Sequence, residues 1–125
     1  MGNSRKILIA DDEPVVRQLL AQALGSQGFE VMMATNAKEA FELVKSHPIA
    51  LVLTDINMPG GDGLQLMEWV RQSAKKDIPV ILMTGDLDEF EKSRAAGVMI
   101  LQKPFRRQEL VELINSVLDP SRPPG

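Results

Sequence analysis

A chain of 125 residues has room for one sizeable hydrophobic core and not for two, so a single domain is expected. Its 44% hydrophobic and 25% charged residues exclude a disordered or fibrous chain, and the lack of cysteine excludes disulfide and thiolate-metal frameworks. A net charge of −3 argues against a direct nucleic-acid surface, no apolar run reaches the roughly 18–20 residues of a membrane span, and no signal-peptide core precedes Lys6, so a cytoplasmic protein without membrane contact is expected.

Short Ile/Val/Leu runs alternate along the chain with longer stretches whose apolar residues recur three and four apart, the pattern of repeated βα units. Lys6 to Ala10 reads as the first strand. The helix after it carries Val16, Leu19, Leu20, Ala23 and Leu24 on one face, with Pro14 in its first turn and Gly25 and Gly28 ending it. Glu30 to Ala34 is the second strand, and Asn36 is the expected N-cap of a helix bearing Ala37, Ala40, Phe41 and Val44. The third strand, Ala50 to Thr54, is continuously apolar and runs into Asp55, which suits a central strand covered on both faces.

Pro59 to Gly63 forms a loop before a helix with Leu66, Met67 and Val70. Pro79 to Met83 is the fourth strand, ending on Thr84-Gly85. The helix predicted over Leu87 to Ala96 has the weakest apolar face. Val98 to Leu101 is the fifth strand, closed by Lys103-Pro104, and the last helix spans Arg106 to Leu118. Residues 1–118 therefore form the domain, and the proline-rich 119–125 reads as a tail or the start of a linker.

Five βα units of this size suit an α/β fold of the flavodoxin-like class, a doubly wound parallel sheet for which 2-1-3-4-5 is one common strand order. Ligands of such sheets bind beyond the carboxyl ends of the strands, near the switch point between strands 1 and 3. That order sets Asp11 and Asp12 beside Asp55, with Thr84 and Lys103 ending the next two strands on the same rim. Two like charges about 4 Å apart repel by roughly 4 kcal/mol at an effective dielectric near 20, so three converging carboxylates imply a compensating cation. Hard oxygen donors with no His or Cys nearby favour Mg2+. Lys103 adds a second positive charge, Thr84 a hydroxyl donor, and Asp55 at the centre is the nucleophile candidate for phosphoryl transfer.

Asp11-Asp12, Asp55 followed by Asn57-Met58-Pro59-Gly60, Thr84-Gly85 and Lys103-Pro104-Phe105 together resemble the receiver domain of bacterial two-component response regulators over essentially residues 5 to 118. The resemblance implies that Asp55 is the phosphorylation site. It also implies that Asp12, Asp55 and the backbone carbonyl of Asn57 are Mg2+ ligands, with Asp11 acting through water. Lys103 is then expected to contact the phosphoryl group and to precede a cis peptide bond, and Thr84 to move toward the phosphoryl group. The implied partners are a histidine kinase or histidine phosphotransfer protein and a downstream effector protein or output domain, with the chain a monomer or weak dimer.

Each piece also has a plainer reading. Asp11 and Asp12 could simply cap the first helix, Asp55 and Asn57 could form a turn, and Thr84 and Lys103 could be solvated strand ends. Two other functions compete with a signalling domain that catalyses only its own phosphotransfer and dephosphorylation. An aspartyl phosphatase or phosphotransferase would resemble the haloacid-dehalogenase type, but there the nucleophile motif D-x-D-x-T follows the first strand. An interaction module that is never phosphorylated usually lacks an acidic residue, the threonine or the lysine, all of which are present here. One departure stands out: the family usually has Tyr or Phe where this chain has Ile100. The aromatic half of its usual threonine–aromatic switch is absent, and repacking through Met99, Ile100 and the fourth helix is expected instead. Asn57 and Asp86 border the site and are expected to affect the lifetime of a phosphorylated state.

Overall fold

A computed structural model describes residues 5–59 and 62–119. The outer ends of the chain, including the proline-rich stretch after Asp119, and the Gly60-Gly61 pair of the predicted loop lie outside the described residues.

Five strands and five helices alternate in the order β1 (Lys6–Ala10), α1 (Pro14–Gly25), β2 (Glu30–Ala34), α2 (Ala37–Ser46), β3 (Ile49–Asp55), α3 (Gly63–Arg71), β4 (Val80–Thr84), α4 (Leu87–Ala95), β5 (Ile100–Gln102) and α5 (Arg107–Leu118). The strands form one sheet in the order β2-β1-β3-β4-β5, with every neighbouring pair parallel. This is the expected flavodoxin-like doubly wound architecture, whose strand reversal between β1 and β3 opens a crevice at their carboxyl ends.

Two-residue alternation along the strands divides the core between the two sheet faces. Leu8, Ala10, Val52, Ile56 and Leu82 pack with α2 and α3 on one face. Ile7, Ile9, Leu51, Leu53, Ile81 and Met83 pack with α1 and α5 on the other. β3 is buried along almost its whole length, which explains the uninterrupted apolar run in its sequence.

The helix boundaries follow local chemistry. Pro14 occupies the first turn of α1, where a missing N–H leaves no helical bond unmade. Asn36 caps α2 by accepting from the Glu39 backbone N–H at 2.8 Å, and Asp62 caps α3 through the Gln65 N–H at 2.8 Å. Gly28 and Gly97 leave α1 and α4 with φ of 93° and 81°, a conformation that favours glycine. The strongest departure from expectation is β5, which starts two residues later than its apolar run. Val98 and Met99 form the approach to the strand: Val98 N–H bonds Ser93 at the end of α4, and Met99 carbonyl accepts from Leu82. Such a start is fixed by the neighbouring strand rather than by side-chain polarity.

Candidate functional site

Parallel pairing delivers four strand ends to one rim. Asp11 follows β1, Asp55 is the last residue of β3, Thr84 the last of β4, and Lys103 follows β5. The register pairs Ala10 with Thr54 and Asp55 with Met83, which holds these ends level across the crevice.

Asp11 is fully buried. Its Oδ1 accepts from the Glu13 backbone N–H at 3.0 Å and its Oδ2 from the Lys103 ammonium at 3.2 Å. The Arg17 guanidinium donates to its backbone carbonyl at 2.6 Å. Asp11 thus forms a turn before α1, but it does not cap that helix: the N-cap is Glu13, which makes no side-chain cap bond. Asp12 is exposed, and together with Asp11 and Asp55 it places three carboxylate oxygens within 4.8 Å of one another.

The Asp55 side chain is 10% exposed, with Oδ2 lying 3.5 Å from Lys103 Nζ. Lys103 therefore bridges Asp11 and Asp55 and offsets part of their mutual repulsion. Burial pushes the Asp55 carboxyl above its ordinary range; the Lys103 charge opposes this, the Asp11 charge adds to it, and bonds from Lys103 and the Asn57 backbone again oppose it. The Lys103–Pro104 peptide bond is cis, as the resemblance implied.

The structure brings Asp11, Asp12, Asp55 and Lys103 together as the sequence predicted. Thr84 and Asn57 reach the same rim, the Asn57 backbone bonding Asp55, while both side chains turn to Glu89. The buried Thr84 hydroxyl donates to Glu89 Oε1 at 2.8 Å, and the exposed Asn57 amide donates to the same oxygen at 3.0 Å. Glu89, in the first turn of α4, was not singled out from the sequence. Its signal was present in the Asp86-x-x-Glu89 spacing, the pattern of a helix N-terminus. Gly63 was also missed as a site residue. A Cβ there would overlap the backbone carbonyl oxygen of Asp55 and approach its carbonyl carbon to 3.1 Å, so only glycine lets α3 start this close to the strand end.

The donor set fits Mg2+: three carboxylate oxygens converge, and two of the three acids are buried. Fold and rim together define a flavodoxin-like domain with an acidic, lysine-bridged site at its strand ends.

The comparisons with known proteins place that class. The sequence pattern of the response regulator receiver domain matches residues 7–115, and the chain belongs to that family. Response regulator protein PilR and transcriptional regulatory protein AruR, both from Pseudomonas aeruginosa, are each 38% identical to it, over 91% and 90% of this chain. The match takes up 26% of PilR and 49% of AruR, so the chain spans half or less of these relatives. Among solved structures, the chemotaxis response regulator CheY4 of Vibrio cholerae is similar with a TM-score of 0.82 and 26% identity, covering 92% of this chain and 99% of that one. TrrA from Thermotoga maritima, solved in complex with Mg2+ and BeF, gives a TM-score of 0.82 and 33% identity, covering 90% and 98%. The protein is thus a receiver domain of the kind found in two-component signalling, with the receiver fold of these neighbours.

Proposed function

We propose that Asp55 is the phosphoacceptor of this domain, taking a phosphoryl group from the phosphohistidine of a histidine kinase or histidine phosphotransfer protein. The observation that carries this reading is Asp55 at the end of β3, buried, and joined through Lys103 to a second buried carboxylate at the switch point of the sheet.

An Asp55 carboxylate oxygen attacks phosphorus in line with the phosphorus–nitrogen bond of the donor, that bond breaks, and the imidazole leaves with its electron pair. Lys103 serves both ends of the step. Before transfer its charge favours the ionised, nucleophilic form of Asp55 despite burial; afterwards its ammonium is available to the phosphoryl oxygens. Asp11, fixed by the Glu13 N–H and supported by Arg17 on its carbonyl, holds Lys103 in reach. Asp12, Asp55 and the Asn57 backbone carbonyl would hold Mg2+, with Asp11 acting through water, and the ion supplies charge neutralisation on the phosphoryl oxygens. The complex of TrrA with Mg2+ and BeF supports that assignment by likeness.

The modified domain then passes its state to a downstream effector protein or a joined output domain, working in the cytoplasm as a signalling module whose only chemistry is its own phosphotransfer and dephosphorylation. Among the described residues no helix is long and apolar enough to cross a membrane. Incubation with acetyl phosphate and Mg2+, followed by intact-mass measurement, tests the reading. One added phosphoryl group is expected, absent when a chelator is present from the start and absent in Asp55→Asn. An unchanged mass for the unmodified sequence, or equal labelling of Asp55→Asn, would refute it.

A further inference from the structure

We propose that Glu89 is a positioning residue of the switch: it anchors the Thr84 hydroxyl in the resting state and must release it before Thr84 can serve a modified Asp55. This rests on the reading of Asp55 as phosphoacceptor. A threonine hydroxyl carries a single proton and donates to one strong acceptor at a time. In this structure that proton is committed to Glu89 Oε1 at 2.8 Å. Thr84 Oγ1 in turn accepts from the Asp86 N–H at 3.0 Å, and Asp86 Oδ1 accepts from the Glu89 N–H at 3.0 Å. Three hydrogen bonds thus close a ring through the first turn of α4. The same Glu89 oxygen takes the Asn57 amide at 3.0 Å, which ties that turn to the loop after β3.

Thr84 directly follows Met83, the register partner of Asp55, so it stands next to the position a phosphoryl group on Asp55 would occupy. A phosphoryl group there presents anionic acceptors for the Thr84 proton and repels the Glu89 carboxylate. Capture of Thr84 breaks the ring. The first turn of α4 then loses its tether to the sheet, and α4 has little else to hold it, since Ser93 is its one buried residue. Ile100 meanwhile packs against the α2 and α3 side of the core. The signal therefore leaves through the start of α4 and needs no aromatic ring on β5.

The experiment measures the affinity for beryllofluoride in the presence of Mg2+ by calorimetry, and amide hydrogen exchange over residues 86–91. The proteins compared are the unmodified chain, Glu89→Ala, the isosteric Glu89→Gln, Thr84→Ala and the Thr84→Ala/Glu89→Ala pair. Removing a charge-assisted competitor should tighten binding about tenfold in Glu89→Ala, and by a smaller factor in Glu89→Gln, which keeps a neutral acceptor. The gain should vanish when Thr84 is already alanine. Exchange over 86–91 should rise on beryllofluoride binding in the unmodified chain and start high in Glu89→Ala. Unchanged affinity in both Glu89 variants overturns the proposal. So does an equal gain in the Thr84→Ala background, because the effect would then come from charge alone. If the unmodified chain fails to bind beryllofluoride, the phosphoacceptor reading falls and this one with it; if it binds but ignores Glu89, only the role of Glu89 falls.

Discussion

Gly63 packs so closely on Asp55 that no side chain fits between them: a Cβ at Gly63 would overlap the Asp55 carbonyl oxygen and stand 3.2 Å from Ile56 Cα. The Gly63 N–H also donates to the Ile56 carbonyl at 2.9 Å, so α3 is pinned to the strand end that carries Asp55. We predict that Gly63→Ala lowers stability by about 1–3 kcal/mol, the usual range for overpacking, and slows labelling of Asp55 by acetyl phosphate. Urea denaturation and the labelling rate check the two parts. A variant as stable and as reactive as the parent would show that α3 can move aside freely.

A second prediction concerns pH. Burial holds the Asp55 carboxyl above its ordinary value of 3.8, so the folded state favours the protonated acid. That stabilising contribution is complete below the unfolded value and disappears as pH rises through the folded one, leaving a buried carboxylate at neutral pH. Asp55→Asn should therefore melt higher than the parent near neutral pH in the presence of a chelator, with the gap shrinking on acidification. Melting curves across the acidic range decide this; a gap that widens toward low pH would contradict the assigned direction.

Lys103 shares its charge between Asp11 and Asp55, and it competes for them with any divalent ion. Lys103→Met should destabilise the metal-free domain by about 1–3 kcal/mol, because the fully buried Asp11 loses its cation. The same substitution should tighten Mg2+ binding and weaken beryllofluoride binding. Calorimetry with each ligand separates these effects, and a loss of Mg2+ affinity would count against competition.

How far these features were legible in the sequence depends on how local their causes are. Pro14 in the first turn of α1 and the Asn36 cap followed from patterns a few residues long, whereas the strand order came from a common order of doubly wound sheets. Asp11, Asp55 and Lys103 were legible because a parallel sheet sends all its strand ends to one rim. Gly63 was not, since its need for glycine arises from a backbone carbonyl eight positions away in sequence that only the folded crevice brings near. Glu89 carried only the signal of a helix N-terminus, for which capping and the helix dipole are explanation enough, and its bond to Asn57 crosses 32 residues. The start of β5 was misplaced because Val98 and Met99 are apolar enough for a strand yet precede the residues that pair with β4.

Ile100, half-buried against the core, bears on output. Adding beryllofluoride and Mg2+ should shift backbone NMR resonances across residues 84–106, with the largest changes at the start of α4 rather than at Ile100. Identical spectra with and without the ligand, under conditions of proven binding, would mean that binding at Asp55 is not transmitted.

Asn57 lies two residues beyond Asp55 with its amide held by Glu89, and Asp86 caps α4 two residues beyond Thr84. Asn57→Ala and Asp86→Ala should each change the lifetime of the phosphorylated domain, followed by loss of the added mass after donor removal. Unchanged decay in both variants would remove these residues from hydrolysis. Asp86→Ala should also lower stability by about 0.5–2 kcal/mol through loss of the α4 cap.

Because α4 sinks only Ser93 into the body of the domain, most of its outward positions carry no share of the folding free energy. Exposed substitutions of that kind usually change stability by less than about 0.5 kcal/mol. Apart from Asp86, Glu89, the half-buried Phe90 and the buried Ser93, this helix can therefore drift in sequence, or be rewritten by design, while the acidic rim stays as it is. Duplicated copies of such a domain can part company in whom they address without relearning how they are charged.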